Sequence, residues 1–117
     1  MEMFIIGSCN TNTKNGEYSV VFDDEGDKEV IHGECIAKSV NEVLLKGLKK
    51  GLASCRNHDS VRVYVNTSIG WYNRYKSKNK ELIESIMSDC DKRDITVEVV
   101  EHYDTSFVKQ LVRDYSI

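Results

Sequence analysis

Two short motifs each pair a histidine with a cysteine three residues away: His32-x-x-Cys35 and Cys55-x-x-His58. Together they hold the donor set of a tetrahedral zinc site. Between them, residues 39–54 have helical spacing, and a helix of that length extends roughly 24 Å at 1.5 Å per residue. The two pairs then stand at opposite ends of that helix, too far apart to share one ion, and Cys9, Cys35, Cys55 and Cys90 read as free thiols without a CxxC pair. A different chemistry is written in residues 71–80, where Trp71, Tyr72 and Tyr75 interleave with Arg74, Lys76, Lys78 and Lys80 and no acid intervenes. Cations so spaced can track a phosphate backbone while rings offer stacking surfaces, although a solvated helix and loop with partly buried aromatics has the same composition. A third group, Glu101, His102 and Asp104, could bring carboxylates to a divalent ion if the chain bends inward, whereas Asp23, Asp24 and Asp27 read as turn residues. Lys46, Lys49, Lys50 and Arg56 make a second basic strip, of the kind that serves solubility.

The chain that must position these groups has 117 residues, 40% hydrophobic and 30% charged, which suits one domain over 1–117. Sixteen Lys plus Arg against nineteen Asp plus Glu leave a net charge of −3, so the global balance attracts neither nucleic acid nor an anionic membrane. Any nucleic-acid contact must come from a local patch. No apolar run approaches the roughly 18 residues of a membrane span, and the start lacks the basic flank and cleavage site of a signal peptide. The expectation is a cytoplasmic monomer without membrane contact, for which the glycosylation pattern Asn66-Thr67-Ser68 carries no meaning.

Hydrophobic periodicity orders the elements. Met3–Ile6 predicts a strand ended by Gly7-Ser8, followed by a polar turn over Asn10–Gly16; Tyr18–Phe22 and Glu29–Gly33 predict two more strands around an acidic turn. Leu44, Leu45, Leu48 and Leu52 then recur at helical spacing over Ser39–Ser54, with Ser39 or Asn41 as cap and with Gly47 and Gly51 implying close packing on a neighbour. Val61–Val65 alternates as a fourth strand. Ile69–Tyr75 predicts a helix that pauses in the basic stretch Lys76–Lys80 and resumes over Glu81–Cys90. Ile95–Val100 is a fifth strand, and Phe107, Val108, Leu111, Val112 and Tyr115 mark a final helix. The order is β-β-β-α-β-α-β-α, with no repeat, low-complexity segment or proline to divide it.

In element order and in local wording the chain resembles the ribonuclease H family across nearly its whole length. Ile5-Ile6-Gly7-Ser8-Cys9 is similar to a first-strand motif in which an aspartate precedes Gly-Ser, and Asn41-Glu42-Val43-Leu44-Leu45 to the first helix with its metal-binding glutamate. Val63-Tyr64-Val65-Asn66-Thr67 sits where the family has a strand ending in Asp-Ser, and the run from Gly70-Trp71 through Lys78-Asn79-Lys80-Glu81-Leu82-Ile83 resembles its tryptophan- and lysine-bearing helix with the continuation of that helix. Val99-Val100-Glu101-His102 resembles the end of the fifth strand with its histidine, and Val108–Val112 the final helix with its fourth carboxylate.

The resemblance implies an α/β ribonuclease H-like fold, with a five-stranded mixed sheet in the order 3-2-1-4-5 and helices on its faces. It also implies carboxylates holding two divalent ions for phosphodiester hydrolysis. The matching positions are Ile6, Glu42, Asn66 and Lys109, with His102 beside them, and Glu42 alone of these is a carboxylate. A near-neutral centre is then expected, with a Glu42–Lys109 contact where metals would sit and with no cofactor. The functional expectation is a ribonuclease H-like protein that has lost hydrolysis and binds nucleic acid, an RNA/DNA hybrid or structured RNA, through Trp71–Lys80, or binds a protein partner. Two alternatives stand beside it. One is a divergent ribonuclease H cleaving the RNA strand of hybrids, with Mg or Mn held by Glu42, Asn66 and Asp104; the other is a protein-binding scaffold or inhibitor using the basic surface or an edge strand.

Overall fold

Alternation along the first strand sets the layering. In β1 (Glu2–Asn10), Met3 and Ile5 are fully buried on one face, while Phe4 and Ile6 pack into a separate cluster on the other. A strand apolar on both sides belongs in the middle of a covered sheet. The computed structural model, which describes residues 1–115 with the Tyr115 side chain excepted, places it there. β1 lies between β2 (Asn15–Asp24) and β4 (Ser60–Tyr64) in a mixed sheet ordered β3-β2-β1-β4-β5, where β3 is Asp27–Ile36 and β5 is Thr96–Val100. β1, β2 and β3 form an antiparallel meander, and β4 and β5 continue it in parallel.

β1 does not stop at Gly7-Ser8. It pairs with β2 as far as Asn10↔Asn15, because the backbone ladder persists after the apolar side chains end. The polar turn shrinks to residues 11–14, closed by Lys14 at φ 62° and by the Asn10 side chain accepting from the Asn12 and Thr13 N–H groups at 3.0 and 3.2 Å. The acidic cluster is a turn as expected: Glu25 and Gly26 carry φ of 54° and 93°, and the Gly26 N–H donates to Asp23 at 3.0 Å.

Helix α1 (Val40–Ala53) starts at Ser39, whose hydroxyl accepts from the Glu42 N–H at 3.3 Å. Its stripe of Val43, Leu44, Leu45, Leu48 and Leu52 meets Met3, Ile5, Val20 and Phe22 of the sheet. Helix α2 (Lys80–Arg93) adds Ile83, Ile86 and Cys90 to the same core. Helix α3 (Ser106–Tyr115) lies on the opposite face, where Val108, Leu111 and Val112 pack on Phe4, Ile6, Val21 and Val30.

The helix expected over Ile69–Tyr75 does not form. Gly70 sits at φ 82°, outside the helical region, and only Arg74–Lys76 makes a short 3₁₀ turn. Ile69 and Trp71 are buried, so their apolar spacing reflects two anchors of an irregular segment rather than a helix face.

Candidate functional site

The segment between β4 and α2 is held to the parallel edge of the sheet at several points. The Val65 N–H donates to Val100 O at 3.0 Å, the Ile69 N–H to the Glu101 carboxylate at 2.6 Å, and the Val99 N–H to the Tyr72 hydroxyl at 2.9 Å. With Ile69 and Trp71 sunk into the core, the remainder turns outward. Trp71 is only 5% exposed, which corrects its expected role as a stacking platform: the ring is a structural anchor. Tyr72 and Tyr75 are 63% and 70% exposed. The Arg74 guanidinium lies 4.6 Å from the Tyr75 ring centroid and the Lys80 ammonium 5.4 Å, so both cations attach to that ring. Lys76 and Lys78 are exposed.

These two lysines border a cleft of about 370 Å³ lined by Ser39 and Asn41 at the start of α1, by Ser68, Gly70 and Asn73 of the segment, and by Ser77 and Asn79 before α2. The start of each helix carries a partial positive charge from its unpaired N–H groups. At α1 this end is partly satisfied by Ser39 and Glu42. At α2 the side chain of Asn79, which lines the cleft, forms no cap. Among the described residues no acid lines it. Two helix starts, two lysines and several neutral hydrogen-bonding side chains are groups whose chemistry suits an oxyanion.

The positions expected to form a degenerate metal centre are not gathered into one group. Ile6 and Lys109 share a second cleft, of about 310 Å³, with Ser8, Glu17, Ser19 and His32. Glu42 points elsewhere: its carboxylate accepts from the Lys38 N–H at 2.6 Å and lies 4.0 Å from Lys46. The expected Glu42–Lys109 contact is therefore corrected to Glu42–Lys46. A glutamate three residues after a serine cap is drawn back over the helix start, which competes with any distant cation. Asn66 is exposed just beyond β4, and His102 is exposed at φ 57° beyond β5. Asp104 accepts from the Ser106 N–H at 3.0 Å at the start of α3, and hydrogen bonding from the Ser106 side chain, with this N–H second, holds its carboxyl below the usual range. Glu101 is committed to Ile69. Among the described residues no three His, Cys, Asp or Glu side chains are grouped to hold a metal ion, and Glu42 and Asp104 each accept from a backbone N–H.

No protein-family model matches the chain, and no curated protein matches it either.

The two histidine–cysteine motifs also separate. His32 shares a 2.8 Å hydrogen bond with the hydroxyl of Ser19, its direct partner across β2 and β3, and His58 lies 2.9 Å from Asp94. The Ser19–His32 pair had no signal in linear spacing; only the hairpin register creates it. The lysines of this cleft are visible in the sequence, while Ser39, Asn41 and Asn79 join them through the packing of α1 beside α2.

Proposed function

We propose that this chain is a ribonuclease H-like domain that has lost two-metal hydrolysis and binds the sugar-phosphate backbone of nucleic acid. The observation carrying this reading is the acid-free cleft in which the starts of α1 and α2 meet Lys76 and Lys78. Phosphate contacts dominate nucleic-acid affinity, and a chain of net charge −3 needs such a local focus. The exposed Tyr72 and Tyr75 rings beside the cleft suit sugar or base contact in an RNA/DNA hybrid or a structured RNA. The absence of hydrolysis is supported by the acids themselves. Glu42 is spent on the start of α1, Asp104 on the start of α3, and Lys109 stands beside Ile6 where a cation would be repelled.

The test is fluorescence anisotropy with a labelled RNA/DNA hybrid at salt concentrations between about 50 and 200 mM. Binding should weaken steeply with salt, and Lys76→Ala with Lys78→Ala should each lower the log–log slope by about 0.9. A companion gel with magnesium or manganese should show an intact RNA strand. Cleavage that disappears in Glu42→Gln would overturn the loss of hydrolysis, and binding indifferent to salt and to both lysines would overturn the interface.

A further inference from the structure

The sheet has two edges, and they differ. On β5 the Tyr72 hydroxyl occupies the outward N–H of Val99, and the strand is five residues long. On the other side β3 is ten residues long, and apart from the Ile36 carbonyl, which accepts from Lys46, no side chain among the described residues bonds its backbone. Alternate residues of β3 therefore present N–H and C=O groups outward, which is a template for another strand.

The geometry points to a second copy of this chain as the strand that completes this edge, paired antiparallel to β3 about a two-fold axis at Ile31. Such an axis perpendicular to the sheet requires paired residues to lie on the same face, so it must pass through a residue. Centred on Ile31, the pairs are Lys28 with Glu34, Glu29 with Gly33, Val30 with His32, and Asp27 with Cys35. Opposite charges meet twice and no like charges face each other. Shifting the centre to Val30 places Lys28 opposite His32, and shifting it to His32 leaves Lys28 opposite Ile36 and Glu34 opposite Val30; neither pairs opposite charges.

Within one chain Lys28 faces Asp23 across β2 and β3, but Glu34 has no opposite charge across from it. Glu17 and Glu34 face each other directly across β2 and β3. Two carboxylates in that position repel, and Lys28 of a second copy lies opposite Glu34 in the proposed register. The Ile31 register also brings Ile36, 72% exposed, level with Gly26 of the second copy, where a Cβ would meet nothing within 4 Å. Residues that deter foreign strands thus match the chain's own edge.

Sedimentation velocity over a concentration series tests this. Wild-type protein should approach twice the protomer mass as concentration rises. Lys28→Glu alone and Glu34→Lys alone should each raise the dissociation constant about tenfold by setting like charges opposite one another twice, and the double exchange Lys28→Glu with Glu34→Lys should restore it. Both side chains are exposed, so far-UV circular dichroism should be unchanged in all three. A wild-type protein that stays monomeric throughout, single variants that associate as well as wild type, or a double exchange that fails to recover would each overturn the proposal.

Discussion

Replacing Gly47 or Gly51 by alanine removes the same helix penalty, about 1 kcal/mol each, yet the two substitutions meet different neighbours. A Cβ at Gly47 would lie 3.2 Å from Ile5 Cγ2 and from Tyr18 Cβ and Cγ. Tyr18 Cβ moves only with the backbone of β2, so relief requires α1 to lift off the sheet by a few tenths of an ångström. Overpacking of that kind costs about 1–3 kcal/mol, which outweighs the helix gain and leaves Gly47→Ala about 1 kcal/mol less stable. At Gly51 the nearest atoms are Met3 Sδ at 2.9 Å and Cε at 3.0 Å, the far end of a side chain with three rotatable bonds, and Val20 Cγ1 at 3.2 Å, also a side-chain end. Rotation there offsets the clash, and Gly51→Ala stays within about 0.5 kcal/mol of wild type. Thermal unfolding followed by circular dichroism should therefore place Gly47→Ala about 4 °C lower, with Gly51→Ala near the parent. A Gly47→Ala protein as stable as Gly51→Ala would refute the reasoning that α1, and with it the Ser39 side of the cleft, is seated by close contact at Gly47.

Burial, reinforced by Asp59, pushes the Cys55 thiol up to about 11 from 9.0. The stabilisation from keeping it neutral is complete below pH 9 and fades as pH rises toward 11, up to roughly 2 kcal/mol, and urea titrations across that window should show the loss diminished in Cys55→Ala. Arg93 donates to the carbonyls of Leu52, at 2.7 Å, and Cys55, and to Asn57 at 2.9 Å, tying the end of α2 to the end of α1. Arg93→Ala should lower stability by about 2–3 kcal/mol, read as a midpoint about 10 °C lower, and an unchanged midpoint would exclude this cap. Tyr72→Phe removes the acceptor for the Val99 N–H and should speed exchange of that amide about fivefold, a net bond of roughly 1 kcal/mol, detectable by hydrogen-exchange NMR.

The residues whose periodicity is strong were read well from sequence. The Ser39 cap and the leucine stripe gave α1 to within a residue at either end, because a serine cap and a 3.6-residue period act locally. The 3-2-1 half of the sheet order follows from turn signals between the first three strands, whereas the placing of β4 and β5 rests on the resemblance. What failed depended on distant partners: β1 runs past Gly7-Ser8 because β2 keeps pairing with it, and Ile69–Tyr75 is irregular because Trp71 and Ile69 are anchors. The Glu42–Lys109 contact failed for the opposite reason. A nearby helix start and Lys46 outcompete a cation on another layer. In the cleft, lysine composition was legible, whereas the uncapped start of α2 was a property of Asn79 geometry.

The mixed pairing of β1 divides folding in time. Its antiparallel partner β2 comes after a four-residue turn, and β3 comes after two more residues, so the meander and the helix laid over it close small loops. The parallel partner is different: Glu2 meets Arg62, and this seam closes a loop of about 60 residues before β4, α2 and β5 can dock. A chain with no proline has no prolyl isomerisation to slow it. On loop-closure entropy, closure of the β1–β4 seam is the expected slow step, and because it brings the 68–79 segment beside the start of α1, the cleft bordered by Lys76 and Lys78 is expected to form late.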